Sequence, residues 1–353
     1  MDHSAYNIIV GPGLLDHLEK HLKRAGLSGP FLIVSQPRIF KAVGQDLKNR
    51  FPVVLIPDGE RAKNLKTVSL LLDRVADLGM TRQSTLIALG GGVVGDITGF
   101  VASLYMRGIA VVQIPTTLLA QVDSSIGGKT GVNYRSVKNL VGTFHQPSLV
   151  LSDPLPLQSL SDREYASGLY ESLKYGVISD RALFDSFVKN IDLLRRRDLR
   201  SVEALVARCA KIKADIVSAD EREGDLRRVL NLGHTVGHAL ESAANFRKLK
   251  HGEAVGYGMI AASRISATLG RMTRTDSEKV ESAVRCIGGL PSLEGTKLIP
   301  FTRALQQDKK VRDGAVHFIL PREIGRVEIT RDVPLALVRE TVTALIHESK
   351  TRR

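Results

Sequence analysis

Tryptophan is absent from the 353 residues, and cysteine occurs only twice. Cys209 and Cys286 supply no disulfide framework; both read as small buried hydrophobes of a chain kept in a reducing cytosol. Aromatic residues make up only 5%, against 31 glycines. That balance favours tight turns of the kind that cradle phosphates over an aromatic-rich sandwich. No apolar run reaches the ~18 residues a membrane helix requires. The opening Met1–Asn7 shows neither the basic start nor the apolar stretch of a secretion signal. A cytoplasmic protein without membrane contact is expected.

What the chain does have is 43% hydrophobic residues and a net charge of +13. A chain of this length outgrows one core, since cores rarely extend past roughly 250–300 residues, so two domains are expected. The densest basic run, Arg195-Arg196-Arg197 with Arg200, has no interleaved aromatic and reads as a solvated helix face. Nucleic acid is therefore not an expected partner. Other Lys and Arg residues sit inside Gly- and His-rich motifs, where they suit a polyanionic small molecule.

The N-terminal half alternates strand and helix. Strands are predicted at 7–10, 31–35, 53–57, 85–89 and 110–114, and helices at 14–25, 40–48, 65–78 and 95–104. That order predicts a doubly wound parallel sheet. The breaker-rich Ser152-Asp153-Pro154-Leu155-Pro156 marks the domain boundary, between residues 152 and 153. Beyond it the pattern is helical, over 164–177, 181–195, 199–219, 233–244, 253–269 and 276–287. A hairpin at 316–321 and 326–330 precedes a last helix, 334–348.

Several motifs carry chemistry. Gly90-Gly91-Gly92-Val93-Val94-Gly95 is a G-x-G-x-x-G between a predicted strand and a predicted helix, the context for a dinucleotide pyrophosphate. It lies in a later unit of the sheet than usual, and no acidic residue follows about 20 positions on to hold a ribose. Gly127-Gly128-Lys129-Thr130 ends like a Walker A loop, but Asp123 stands where the first glycine belongs; an anion, not a P-loop nucleotide, suits it. His234 and His238 lie at i and i+4 on one helix face, and His251 follows within eighteen residues. This reads as a metal site, with a carboxylate from elsewhere as the third ligand. Glu171, one turn from Lys174, is a candidate, although such a pair is ordinarily a surface ion pair. The Asp220–Arg228 stretch reads as a solvated turn.

Taken in order, these segments resemble the 3-dehydroquinate synthase family. The resemblance rests on Asp58-Gly-Glu60-Arg-Ala-Lys63, Gly90–Asp96, Tyr105-Met-Arg107-Gly, Pro115–Thr130, Lys138-Asn139-Leu-Val-Gly, Ser167–Gly176, Asn231–His238, His251-Gly-Glu253 and Asp308-Lys-Lys. It covers the chain from about residue 58 to 310.

The resemblance implies an α/β protein with a Rossmann-like NAD-binding domain, 1–152, and a helical metal- and substrate-binding domain, 153–353. It also implies a homodimer. NAD and a divalent metal, zinc or cobalt, are the implied cofactors. The implied substrate is 3-deoxy-D-arabino-heptulosonate 7-phosphate, a sugar-acid phosphate. Transient oxidation, phosphate elimination, re-reduction and intramolecular aldol closure take it to 3-dehydroquinate, a lyase reaction of the shikimate pathway to chorismate and the aromatic amino acids. By position, Glu171, His234 and His251 look like the metal ligands, with His238 moved to a role near the reacting carbon. Asp58, Glu60, Lys63, Gly91, Gly92, Asp96, Thr116, Thr117, Asp123, Lys129, Lys138 and Asn139 match NAD-contacting positions. Arg107, Lys174, Lys213, Arg227, Asn231 and one of Lys309 or Lys310 match the substrate-binding and catalytic set. Two residues depart from the family pattern. Tyr170 replaces the usual alanine and is expected to crowd the helix beside Glu171; Val137 replaces a glycine before Lys138.

Overall fold

The computed structural model describes residues 6–351 apart from 136, 222, 223, 225, 244–248 and 312–315; the side chains of 307–311 and 351 also lie outside it. The expectation for Lys309 or Lys310 thus falls outside the described residues. The chain divides into two compact units, Met1–Leu160 with Val202–Ala214, and Ser161–Ser201 with Asp215–Arg353.

The first unit is built on a six-stranded sheet of order β1-β8-β5-β4-β2-β3, every neighbouring pair parallel. Its strands are β1 (Asn7–Val10), β2 (Phe31–Ser35), β3 (Val53–Leu55), β4 (Thr85–Gly90), β5 (Ala110–Pro115) and β8 (Leu149–Ser152). Alternation along the strands feeds two cores. Leu32, Val34, Leu86, Ala88 and Val111 face α3 (Leu65–Asp77) and α4 (Gly92–Leu104). Ile33, Ile87, Leu89, Val112 and Ile114 face α1 (Leu18–Arg24) and α2 (Pro37–Val43). Each of the Leu, Ile and Val side chains contributes roughly 1.5–3 kcal/mol on burial, which is why these strands are apolar on both faces. The doubly wound sheet expected from the sequence is present. Chain progression reverses between β2 and β4, the kind of switch point at which α/β sheets bind ligands.

Three elements were not foreseen. An antiparallel hairpin, β6 (Lys129–Tyr134) with β7 (Val137–Phe144), packs β6 on α4. Strand β8 lies between β1 and β5. In the second unit, residues Leu298–Val311 form a helix.

The second unit is mainly helical: α5 (Asp162–Ser179), α6 (Arg181–Lys189), α7 (Ile191–Arg195), the flanks of α8 (Leu199–Ala219), α9 (His234–Ala243), α10 (His251–Thr268), α11 (Arg274–Ile287), α12 (Leu298–Val311) and α13 (Leu335–Thr351). The hairpin β9 (Phe318–Glu323) with β10 (Arg326–Thr330) agrees with the expectation. The helix predicted over 181–195 is two helices. Asn190 ends the first, its Nδ2 donating to the Ser186 carbonyl at 2.9 Å in competition with the backbone ladder. Cys209 is buried as expected, but Cys286 is exposed. The buried stripe of α11 runs through Val280, Ala283, Val284 and Ile287, and Cys286 falls off it. Arg197 leaves the expected solvated face to bond Asp162 at 2.8 Å and stack on Tyr165.

Arg264 of α10 ties this bundle together, donating to Glu281 of α11 at 2.8 Å and to Glu348 of α13 at 2.7 Å. Arg285 joins both carboxylates. The Arg264 hydrogen bond holds Glu348 below its ordinary value of 4.5; at Glu281, burial pushes upward but Arg264 and Arg285 outweigh it. Depressed carboxylates stabilise the fold fully above their unfolded pKa and lose that contribution as pH falls through the folded value. Glu348→Gln should therefore cost about 1 kcal/mol or less near pH 7. In urea melts across pH, the difference between parent and variant should shrink as pH falls below the ordinary value of 4.5 and vanish once Glu348 is protonated in the folded protein; a difference independent of pH would refute this.

Candidate functional site

In the first unit, β4 ends at Gly90 and α4 begins at Gly92. Gly91 is the N-cap and has no side-chain cap, so the first N–H groups of α4 are not covered by their own capping residue. A Cβ on Gly91 would stand 3.1 Å from Thr117 Cγ2, and one on Gly92 3.0 Å from Ser124 Oγ. An uncapped helix start behind a close glycine turn fits a pyrophosphate. The Thr116 N–H donates to the Gly90 carbonyl at 3.0 Å and holds the next loop beside this turn.

A polar chain adjoins α4. Buried Lys63 donates to Asp96 and to Asn139. The Asn139 N–H donates to Asn133 Oδ1 at 2.9 Å, and Asn133 Nδ2 donates to Glu60 Oε1 at 2.8 Å. Asn139 adopts a φ of 53°, a conformation asparagine tolerates better than most residues. Burial pushes the Asp96 carboxyl up, and the Lys63 ammonium opposes that without cancelling it. Asp58 is drawn instead towards Arg38, at 3.7 Å. Lys129 and Lys138 stand exposed on the hairpin. Lys213 donates to both the carbonyl and Oδ1 of Asp123 at 2.6 Å. Arg107 sits in a turn where it and Met106 have φ of 68° and 49°.

In the second unit, α5, α9 and α10 approach at backbone contact. A Cβ on Gly258 would meet the Gly233 carbonyl at 1.8 Å, and one on Gly252 the Ser167 carbonyl at 2.0 Å. With no side chains between them, residues one turn away can touch. Glu171 Oε1 lies 3.6 Å from His234 Nε2 and 3.2 Å from His251 Nε2, while Oε2 lies 2.5 Å from Lys174 Nζ. The ordinary surface ion pair expected at 171 and 174 is a buried one, with side-chain exposures of 0% and 1%. The His238 ring is 5.3 Å from that of His234 and 5.7 Å from that of His251.

Burial alone would raise the Glu171 pKa, but Lys174, His234 and His251 hold it well below the usual carboxylate range. Burial drives His234 well below its ordinary value, with Lys174 adding to the effect. At His251 burial pulls downward, yet Glu171 and Glu241 raise the pKa to about 9.

This donor set fits a divalent cation. Ring nitrogens of His234, His238 and His251 lie within 4.8 Å of one another. Both Glu171 oxygens are buried without a hydrogen bond of good geometry, despite the nitrogens around them. Imidazoles with a carboxylate suit zinc or cobalt. The geometry accommodates both ligand sets raised by the sequence, with or without His238.

Arg227 is not the solvated residue that composition suggested: it is 3% exposed, and its Nη1 donates to the Glu221 carbonyl at 2.6 Å. Asp220 closes the turn by accepting from Gly224 N at 2.8 Å and Arg227 N at 3.0 Å. Asn231 ends a short six-residue helix, Leu226–Asn231, before α9. Tyr170 is accommodated without crowding, its ring against Gly256 and its hydroxyl donating to the Gly288 carbonyl at 2.6 Å. Two buried carboxylates near His251, Glu241 and Glu253, were absent from the sequence-derived set. Glu253 caps α10 by accepting from Lys250 N at 2.7 Å and is gripped by Arg163. The sequence signal for Glu241 was its place seven residues beyond His234, two turns along one face.

Family models for the N-terminal and C-terminal domains of 3-dehydroquinate synthase match residues 53–167 and 168–311. A 3-dehydroquinate synthase of Nostoc punctiforme is 44% identical over 357 residues, 98% of each chain. The chain belongs to the 3-dehydroquinate synthase family. It is accordingly an enzyme, a lyase by family. Among solved structures, this family member superposes on a 2-epi-5-epi-valiolone synthase from Streptomyces hygroscopicus subsp. jinggangensis 5008, which has NAD+ and Zn2+ bound. The TM-score is 0.89, with 32% identity over 99% of this chain and 98% of that one. A 2-deoxy-scyllo-inosose synthase complexed with carbaglucose-6-phosphate, NAD+ and Co2+ gives a TM-score of 0.86 and 27% identity over 96% of each chain. No helix among the described residues is long and apolar enough to cross a membrane.

Proposed function

We propose that the chain converts 3-deoxy-D-arabino-heptulosonate 7-phosphate to 3-dehydroquinate and phosphate, using NAD and one zinc or cobalt ion. The observation that carries the reading is the convergence of His234 and His251 on the buried Glu171–Lys174 pair, with His238 at its edge, in a chain of this family. When bound, NAD would supply a hydride acceptor at a substrate carbon that later gives the hydride back, and the ion would lend positive charge to substrate oxygens.

Glu171, His234 and His251 would hold the ion. The helix start at Gly91 and Gly92, with Asp58, Glu60, Lys63, Asp96, Thr116, Thr117, Asp123, Lys129, Lys138 and Asn139, is assigned to NAD. The substrate's two anions call for separate cationic holders. Lys213, Arg227 and Asn231 are assigned to the carboxylate, and Arg107, Lys129 and Asn139 to the phosphate. Lys174 holds positive charge at the buried end of the cluster. His238, on the exposed side of α9, is assigned a role near the reacting carbon. These side chains act mainly by orienting a flexible, doubly anionic substrate, so that elimination and ring closure start from one geometry.

The decisive test offers the carboxylated seven-carbon phosphate while phosphate and absorbance are followed together. Phosphate release without net NADH, lost on chelation and restored by Zn2+ or Co2+, is expected. Turnover of sedoheptulose 7-phosphate but not of the carboxylated substrate would replace this reading with another cyclase activity. Net NADH accumulation would point to a polyol dehydrogenase.

Lys213→Ala should raise KM or lower kcat by about 10–100-fold, the loss of one charge-assisted contact; parent-like kinetics would remove its role. The reading also includes a cytosolic homodimer. The absence of a disulfide at Cys209 and Cys286 is in keeping with the compartment. The exposed Val137, Leu140 and Phe144 of β7 support a self-contact, which sedimentation velocity would check.

A further inference from the structure

The His251 ring stands between two buried carboxylates. Its Nε2 is 3.2 Å from Glu171 Oε1, and its Nδ1 is 3.6 Å from Glu241 Oε2. His234 shows the same polarity by another means: Nδ1 lies 3.1 Å from the Leu232 carbonyl, and Nε2 faces Glu171 Oε1 at 3.6 Å. An acceptor beside Nδ1 keeps the proton there and leaves the Nε2 lone pair for a cation. For His234 the acceptor is backbone, fixed by the turn that opens α9. For His251 it is a side chain from a different helix. Glu241 can play this part because it lies two turns beyond His234 on α9, and because the glycine contacts bring α10 against that helix. Its side chain is 4% exposed, a depth at which a carboxylate is costly unless it faces polar partners.

We propose that Glu241 is a positioning residue for the metal centre, fixing the His251 ring so that Nδ1 carries the proton and Nε2 is turned towards Glu171. The inference rests on the metal-binding reading above and adds a residue that touches neither substrate nor ion.

The test is metal binding by the metal-free protein, measured by competition with a chromophoric chelator and by the visible spectrum of the Co2+ form. Glu241→Ala should weaken Zn2+ binding about 10–100-fold and alter the Co2+ bands. Glu241→Gln, whose amide oxygen still accepts from Nδ1–H, should recover most of the affinity. If the alanine variant does not fold, Glu241→Asp decides: it keeps the buried charge but withdraws the oxygens by one methylene, and it should weaken binding measurably. Parent-like affinity and spectrum in Glu241→Ala, or in Glu241→Asp where that decides, would overturn the inference while leaving the metal reading intact. Equal losses in the alanine and glutamine variants, with both metal-free proteins folded, would overturn it in favour of an effect of the Glu241 charge alone. A parent protein that binds neither ion would overturn both.

Discussion

Glu171→Gln is expected to lower Zn2+ affinity by at least about 100-fold, more than the 10–100-fold typical of residues that only support a ligand. Activity should fall with metal content. The substitution preserves volume but removes the charge that three nitrogens face, at 2.5, 3.2 and 3.6 Å. Lys174 is 1% exposed, so removing the carboxylate it faces should also cost about 3–5 kcal/mol, as breaking buried ion pairs does. NAD affinity of the metal-free protein should persist, because Gly91, Gly92 and the Lys63–Asp96 pair belong to the other compact unit. Metal analysis, thermal melting and NAD titration of one preparation separate these effects. Unchanged metal content would count against Glu171 as a ligand.

Gly258→Ala should also lower stability substantially, by a different route. The new methyl would lie 1.8 Å from the Gly233 carbonyl, and the obstacle is backbone, not a side chain able to swing aside. Overpacking costs about 1–3 kcal/mol where neighbours can yield; here about 3 kcal/mol or more is expected. For a unit of this size that lowers Tm by roughly 6–12 °C. Metal affinity should drop too, since pushing α9 from α10 parts His234 from His251. Gly270→Ala is the control: no atom lies within 4 Å of its added Cβ, and only its φ of +68° resists. About 1 kcal/mol is expected there. Similar losses in both variants would show that backbone conformation, not interhelical contact, governs the site.

The sequence made most of the first sheet legible because strands buried on both faces are apolar throughout. It did not disclose the β6–β7 hairpin, whose outer strand exposes Val137, Lys138, Asn139 and Leu140 in succession and alternates only beyond them. Strand β8 also escaped notice. Four residues beside a proline-rich breaker carry little local signal, and their pairing with Asn7–Val10 is made across most of the unit. At the candidate site, the histidine spacing of α9 was readable from helical periodicity. The depth of the Glu171–Lys174 pair was not, because an i, i+3 pair looks the same on a wet helix as on a buried one.

The sequence by itself determined the alternating order of the sheet, the glycine turn before α4, the histidine pair on α9 and the family to which the chain belongs. Those features depend on short-range periodicity and on residue types in order, both of which survive in one dimension. Tertiary structure decided that Glu171 and Lys174 are buried, that Arg227 is enclosed, that Cys286 is exposed and that Glu241 faces His251. Burial and cross-helix contact depend on how closely distant backbones approach, and here bare glycines at Gly233, Gly252 and Gly258 set that distance.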